Sequence, residues 1–304
     1  MDPALEQLGW TEDQWNRVCT TVTEEAQRTR VGAQILPVVG PEDPSTVAVP
    51  AYTLTYNPAV VPVPAPAPPA QRMEISSDPS LYITTISVLV ELGGREAADQ
   101  ALSAALTLFR RAANVVARAE DALIFNGRTT GPGAINQTVG LPQIFGVNGI
   151  PGTVPNLLGL MDSPTRVLLN APHDGQEIAT KIIQAIGRLD NAGFSGPYAC
   201  ALDQLGFDAV CSPNNNLILA RDRILPFLQG GSLVRASTIP RRNSGTPWGT
   251  VIALSGNPVE LVVATDIKVT YLQTTNATEP RRVFRVSERV ALRIKEQGAI
   301  AILR

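Results

Sequence analysis

The chain has 304 residues, 44% of them apolar but only 5% aromatic, so a sizeable core must be built mainly from Ala, Val, Leu and Ile. A net charge of −2 and an isoelectric point near 5.6 argue against a dedicated nucleic-acid binder, which carries a basic excess, and no apolar run is long enough to span a membrane. The length suits one elaborate domain or two intertwined ones.

Residues 10–31, "WTEDQWNRVCTTVTEEAQRTRV", predict a helix. Thr11 can cap it, with Gln14 at capping-box spacing. Trp15, Val18, Val22 and Ala26 share one face, and Gly32 is a natural stop. "QILPVVGP" then leads into short extended pieces. Between Pro50 and Pro69 stand seven prolines. Proline lacks a backbone donor, so this stretch cannot lie inside a sheet, and the Val-Pro and Ala-Pro alternation favours polyproline II. The flanks, "TVAVPAYTLTY" and "RMEISSDPSLYITTISVLVEL", can pair as a two-stranded arm that needs a neighbouring subunit to lie on; the alternative is an unstructured linker.

Residues 95–126 predict the longest helix, roughly 45 Å of rod. Its inner face holds Leu102, Leu106, Phe109, Ala113, Val116 and Leu123, with Glu120 filling one slot. Residues 128–165 read as loop. Residues 174–192 predict an amphipathic helix with Ile178, Ile182, Ile186 and Leu189 inward. "GPYACAL" reads as a turn into a buried strand, and "DQLGFDAVCS" and "ARDRILPFLQ" as short helices. In "VFRVSERVALRIK", Phe284, Val286, Val290, Leu292 and Ile294 alternate with Arg285, Ser287, Arg289, Arg293 and Lys295. That predicts a strand with one solvated face, Glu288 being the exception. "VELVVATDIKVTYLQ" is placed beside it and "GAIAILR" closes the chain. No internal repeat is visible.

No catalytic constellation emerges. The single histidine, His173, precedes a helix start and reads as a cap or surface residue. "GFSGP" lacks nucleophile-elbow spacing, and "GRTTGPG" lacks a Walker lysine. Cys19, Cys200 and Cys211 are scattered, as buried free thiols in a reducing compartment would be. The start of the chain has no leader pattern. Glu120 and Asp121 are helix neighbours that point about 100° apart, so they do not share acid–base work; Arg118 and Asp121 can pair on the helix surface. The expectation is that these charges hold a helix end in place. No cofactor and no metal is expected.

Taken in order, "WTEDQW" with "VGAQILPVVGP", "ARAEDALIFNG", "SGPYACAL" and "FRVSERVALRIKEQGAIAIL" resemble the encapsulins, over residues 10–304. The resemblance implies an α+β HK97 capsid-like fold. Residues 1–50 would be the N-terminal helix and the start of a β-rich P-domain, and 51–85 an extended E-loop. Residues 86–135 would hold the spine helix, 136–229 an A-domain and 230–304 the P-domain sheet. It implies a non-enzymatic shell protein that assembles with copies of itself, in pentamers and with hexamers as a further arrangement. The first expectation is a cytoplasmic nanocompartment enclosing a cargo protein held by its targeting tail. The alternative is a tailed-phage major capsid protein in a virion, with genomic DNA and a portal as partners. An interior groove would involve Val22, Ala26, Ile35 and Pro37, and a five-fold pore loop Asn214, Asn215 and Asn216. Where the family carries a basic pair and then an aspartate, this chain has Ala33, Gln34 and Pro37, so the groove would bind a different tail, or none.

Overall fold

The structure is a computed structural model and describes residues 9–57, 72–78, 80–127, 145–148, 158–167, 174–213, 218–239, 248–275 and 279–304. In chain order the elements are α1 Glu12–Thr29, α2 Gly32–Ile35, β1 Val38–Val39, β2 Ala48–Pro50, β3 Thr53–Asn57, β4 Arg72–Ser76, β5 Ser80–Tyr82, β6 Thr84–Leu92, α3 Gly94–Ala98, α4 Ser103–Asn126 and β7 Phe145–Asn148. There follow β8 Arg166–Val167, α5 Gly175–Asn191, β9 Tyr198–Leu202, α6 Gln204–Cys211, α7 Ala220–Ile224, β10 Leu233–Arg235, β11 Gly249–Ala253, β12 Val259–Thr274, β13 Arg282–Ile294 and β14 Ile300–Leu303.

The expected capping box opens α1. The Thr11 hydroxyl accepts from the Gln14 amide at 3.2 Å, and the Gln14 side chain accepts from the Thr11 amide at 2.9 Å. Val18, Val22 and Ala26 are buried and Trp15 is half-buried. The helix stops at Thr29 rather than at Gly32. Gly32 instead opens α2, where a β-carbon would stand 2.4 Å from Ile124 Cδ1. Close approach to the spine, not helix termination, is what glycine serves there, since a β-carbon would have to displace the end of the Ile124 side chain.

The predicted 95–126 rod divides into α3 and the spine helix α4. The Asp99 carboxylate accepts from the amides of Ala101 (3.0 Å) and Ser103 (2.9 Å), and Leu102 takes a left-handed backbone with φ 54°. An aspartate that satisfies turn amides competes with helix continuation. What remains is 24 residues, about 36 Å. Leu106, expected on the inner face, is only half-buried.

Two five-stranded sheets flank the spine. The first runs β1-β12-β13-β6-β7, antiparallel except for β1 against β12. Its inner face packs on α1 and α4, and Phe284 is the hub: Trp10 stacks on it at 5.3 Å and Phe109 meets it edge-on at 5.2 Å. The predicted period of two holds, with Phe284, Val286, Val290 and Leu292 buried. The opposite face is not simply solvated, since Ser287, Ala291 and Arg293 are buried as well. Over Ala291 the cover is the β2/β5 ladder, whose neighbours Val49 and Ile83 pack on Val262, Ala264 and Ala291.

The second sheet runs β10-β9-β11-β14-β8. It is apolar on both faces. Ala199, Ala201, Ile252 and Ile300 join the spine core, whereas Tyr198, Cys200, Leu202, Val251 and Leu303 pack with Ile178, Ile182, Ile186 and Leu189 of α5. The stretch 230–304, expected to form one sheet, therefore feeds both. The runs "VIA" and "AIAIL" are continuously apolar because they are covered twice, while β12 alternates buried and exposed from Ile267 to Thr270. The strand β7 falls where a loop was expected and pairs with β6.

Candidate functional site

Two buried ion-pair networks fix how the parts of this chain are joined. The first lies where α1, the spine and the first sheet meet. Arg30, just past α1, contacts Glu120 of α4 (Nε to Oε2, 2.6 Å, poorly aligned for a hydrogen bond), Asp266 of β12 (Nη1 to Oδ1, 2.9 Å) and Glu288 of β13. Glu120 and Glu288 are buried; Asp266 is largely exposed. Asp121 turns the other way. Its carboxylate accepts from the amides of Val31 (2.9 Å) and Gly32 (2.7 Å), which pins the segment after α1 to the spine. The surface pair expected between Arg118 and Asp121 is thus replaced by a buried latch, because the spine's end is enclosed on nearly all sides. The expectation that Glu120 and Asp121 hold a helix end is met in a stronger form.

One guanidinium among so many carboxyls cannot neutralise them all. Burial pushes Glu120 and Glu288 well above the usual carboxylate range, with Arg30 pulling back only in part. Burial likewise raises Asp121, to about 7, against the pull of its two amides. Glu288 Oε1 is buried without a hydrogen-bond partner, as fits a carboxyl that holds a proton. Among the described residues no group of His, Cys, Asp and Glu could hold a metal ion.

The second network anchors the arm. Glu260 of β12, buried, takes the Nε and Nη2 of Arg293 and the Lys295 ammonium (2.7 Å). Arg293 Nη1 donates to the Pro50 carbonyl at 3.2 Å, and its guanidinium lies 5.0 Å from the centre of the Tyr52 ring. Arg289, four residues back on the same face, donates to the carbonyls of Pro44 and Thr46 (2.7 Å to the latter). Arg289 and Arg293 of β13, read from the sequence as solvated, hold residues 44–52.

Beyond this anchor the arm pairs as its flanking sequences predicted. β2 runs antiparallel to β5, and β3 antiparallel to β4 in the register Thr53↔Ser76 to Asn57↔Arg72. Val47, Tyr52 and Ile75 are exposed along it, as are Leu205, Ile218, Leu225 and Phe227 at the α6–α7 end of the second layer.

Of the expected groove residues, Val22, Ala26 and Ile35 belong to the main core and Pro37 is half-buried beside the edge strand β1. In the single chain they present little open surface. The expected pore residues Asn214, Asn215 and Asn216, the Pro-rich run 58–69 and His173 lie outside the described residues. Cys19, Cys200 and Cys211 are free thiols; burial pushes Cys200 strongly up and Cys19 up. Sequence reasoning missed Arg30, Glu260, Arg289, Arg293 and Tyr52. The one available signal was Glu288, a charge at an inward position of an otherwise regular strand.

A long spine, two sheets around it and a paired arm reaching out are the arrangement of HK97-type capsid subunits, and comparison with solved structures gives the same fold. The chain is similar to a virus-like particle from Pyrococcus furiosus (TM-score 0.68, 13% identity, 97% of this chain and 100% of that one). It is also similar to the capsid of a native GTA particle (0.57, 17%, 90% of each) and to the capsid of Myoviridae phage XM1 (0.57, 12%, 88% of each). No curated protein matches in sequence. The fold class is therefore that of the HK97-type capsid subunits. Within that class, the model of the family described as "Encapsulating protein for peroxidase" matches residues 6–141 and 151–291; the chain belongs to that family, the encapsulins. No helix among the described residues is long and apolar enough to cross a membrane.

Proposed function

We propose that this subunit builds a nanocompartment that encloses a cargo protein in the cytoplasm and performs no catalysis itself. The observation that supports this reading is the family match, which extends over both layers and the arm. The arm would lie on a neighbouring copy, since its outer ladder has exposed Ile75 and no apolar cluster of its own among the described residues. Residues 51–85 would act as the E-loop and the second layer would surround the local axes. A cargo tail would be received near Pro37 and Val38, where a two-residue edge strand has one side unpaired among the described residues and Val38 is exposed. Val22, Ala26 and Ile35 would support that surface from beneath.

Capsid shells with this fold also enclose nucleic acid in phages, and the similarity to a phage capsid favours that as the second reading. Particles purified from the native host separate the two. Co-purifying protein released on disassembly, with no protected nucleic acid, is the expected result. Nuclease-resistant DNA of uniform length, with a portal protein at one vertex, would replace it with the phage reading. Deleting residues 58–70 is expected to leave soluble subunits or small oligomers; intact shells from that deletion would remove the arm from the assembly mechanism.

A further inference from the structure

We propose that Tyr52, Arg293 and Glu260 form an angular lock that sets the direction in which the outer arm leaves the subunit, and thereby the curvature of the shell. This rests on the reading that the arm lies on a neighbouring copy. The arm consists of two successive ladders. The root, β2 with β5, is seated on the first sheet through Val49 and Ile83, so moving it would expose buried apolar surface. The outer ladder, β3 with β4, has no such seat among the described residues. On the first strand the two ladders meet at Ala51 and Tyr52.

Tyr52 holds a left-handed backbone, φ 52°, which a bulky residue seldom adopts and which persists only where its surroundings over-determine it. They do so here from both sides. Before Tyr52, the Pro50 carbonyl accepts from Arg293; after it, the Leu54 amide donates to the Lys295 carbonyl at 3.0 Å. The Tyr52 ring lies over the Arg293 guanidinium, and Glu260 holds Arg293 and Lys295 together from beneath. The elbow is thus fixed to Arg293, near the end of β13, and to Lys295, just past it, through a planar fork that a lysine cannot reproduce. The outer ladder is five residues long, roughly 17 Å at 3.4 Å per residue, so a 10° turn at the elbow moves its far end by about 3 Å. That is enough to break a hydrogen bond to a neighbouring subunit.

The test is particle diameter by electron microscopy, with circular dichroism of the subunits as the folding control. Tyr52→Phe keeps the ring and is expected to give the parent's diameter. Tyr52→Gly relieves the backbone and frees the elbow, and Arg293→Lys removes the fork. Both are expected to give mixed diameters or unclosed assemblies from folded subunits. A single parental diameter in both variants overturns the lock. Loss of the folded dichroism signal in Tyr52→Gly overturns it too, since these residues would then hold the fold rather than the arm. If the 58–70 deletion still closes normally, the arm reading falls and the lock with it. If that deletion blocks closure while Tyr52→Gly and Arg293→Lys match the parent, the lock alone falls.

Discussion

The two buried networks solve opposite problems. Around Arg30 a single cation faces Glu120, Glu288 and Asp266, with Asp121 close by. Around Glu260 a single carboxylate faces two cations, Arg293 and Lys295. The surplus cations have an outlet. Arg293 donates to a backbone carbonyl, and Lys295, partly exposed, reaches water. The surplus carboxyls around Arg30 have no such outlet, because Glu120 and Glu288 are walled in. Their only relief is to take up a proton. An arginine with spare donors can therefore staple an outlying element at any ordinary pH, whereas a carboxyl surplus makes a buried junction answer to pH.

The largest expected effect tests the buried junction. Arg30→Ala leaves Glu120 and Glu288 facing each other without a cation and should cost about 3–5 kcal/mol, seen as a large fall in Tm or as insoluble protein. Glu260→Ala strikes the other network and should cost less, about 2 kcal/mol, because its cations keep a carbonyl and solvent; equal losses in the two variants would erase the contrast. Third, the folded chain holds protons at the Arg30 junction that the unfolded chain releases. Protons bound in the native state then exceed those bound in the unfolded state, so stability falls as pH rises. For Asp121 the loss runs from its ordinary 3.8 up to about 7, and Glu120 and Glu288 extend it in the same direction. A Tm several degrees higher at pH 6 than at pH 8.5 is expected, in buffers of matched ionic strength. The smallest change is Glu288→Gln, which imitates the protonated carboxyl. It should alter Tm little at pH 6 and flatten the slope above it; an unchanged slope would place the titrating proton elsewhere.

Much of the architecture was legible in local patterns. The capping box at Thr11 and Gln14, the isoleucine stripe of α5 and the alternation along β13 each follow from a single element's own periodicity. The charged networks were not legible, because what decides them is contact across long intervals. Arg30 meets Glu288 across 258 residues and Arg289 meets Thr46 across 243. From sequence, Arg289 and Arg293 occupy the polar phase of a strand and read as solvated. Nothing in that phase says that an arm folds back over them.

The candidate groove shows the converse. Val22, Ala26 and Ile35 were apolar residues in a stretch resembling a known site, and in the single chain they are core. A residue type and its spacing can mark an inward face, but whether that face meets a neighbour within the chain or a visitor from outside depends on which elements cover it.

By itself, the amino-acid sequence determined most of the helices and strands, since those follow from side-chain period, proline and capping chemistry over a few residues; the break at Asp99–Leu102 and the strand β7 escaped it. Only the tertiary structure decided that the spine's end is an enclosed junction rather than a charged surface, that residues 230–304 divide between two sheets, and that the arm is fixed at its elbow. Burial and charge pairing are properties of elements brought together, and the chain reveals them only once it has closed around itself.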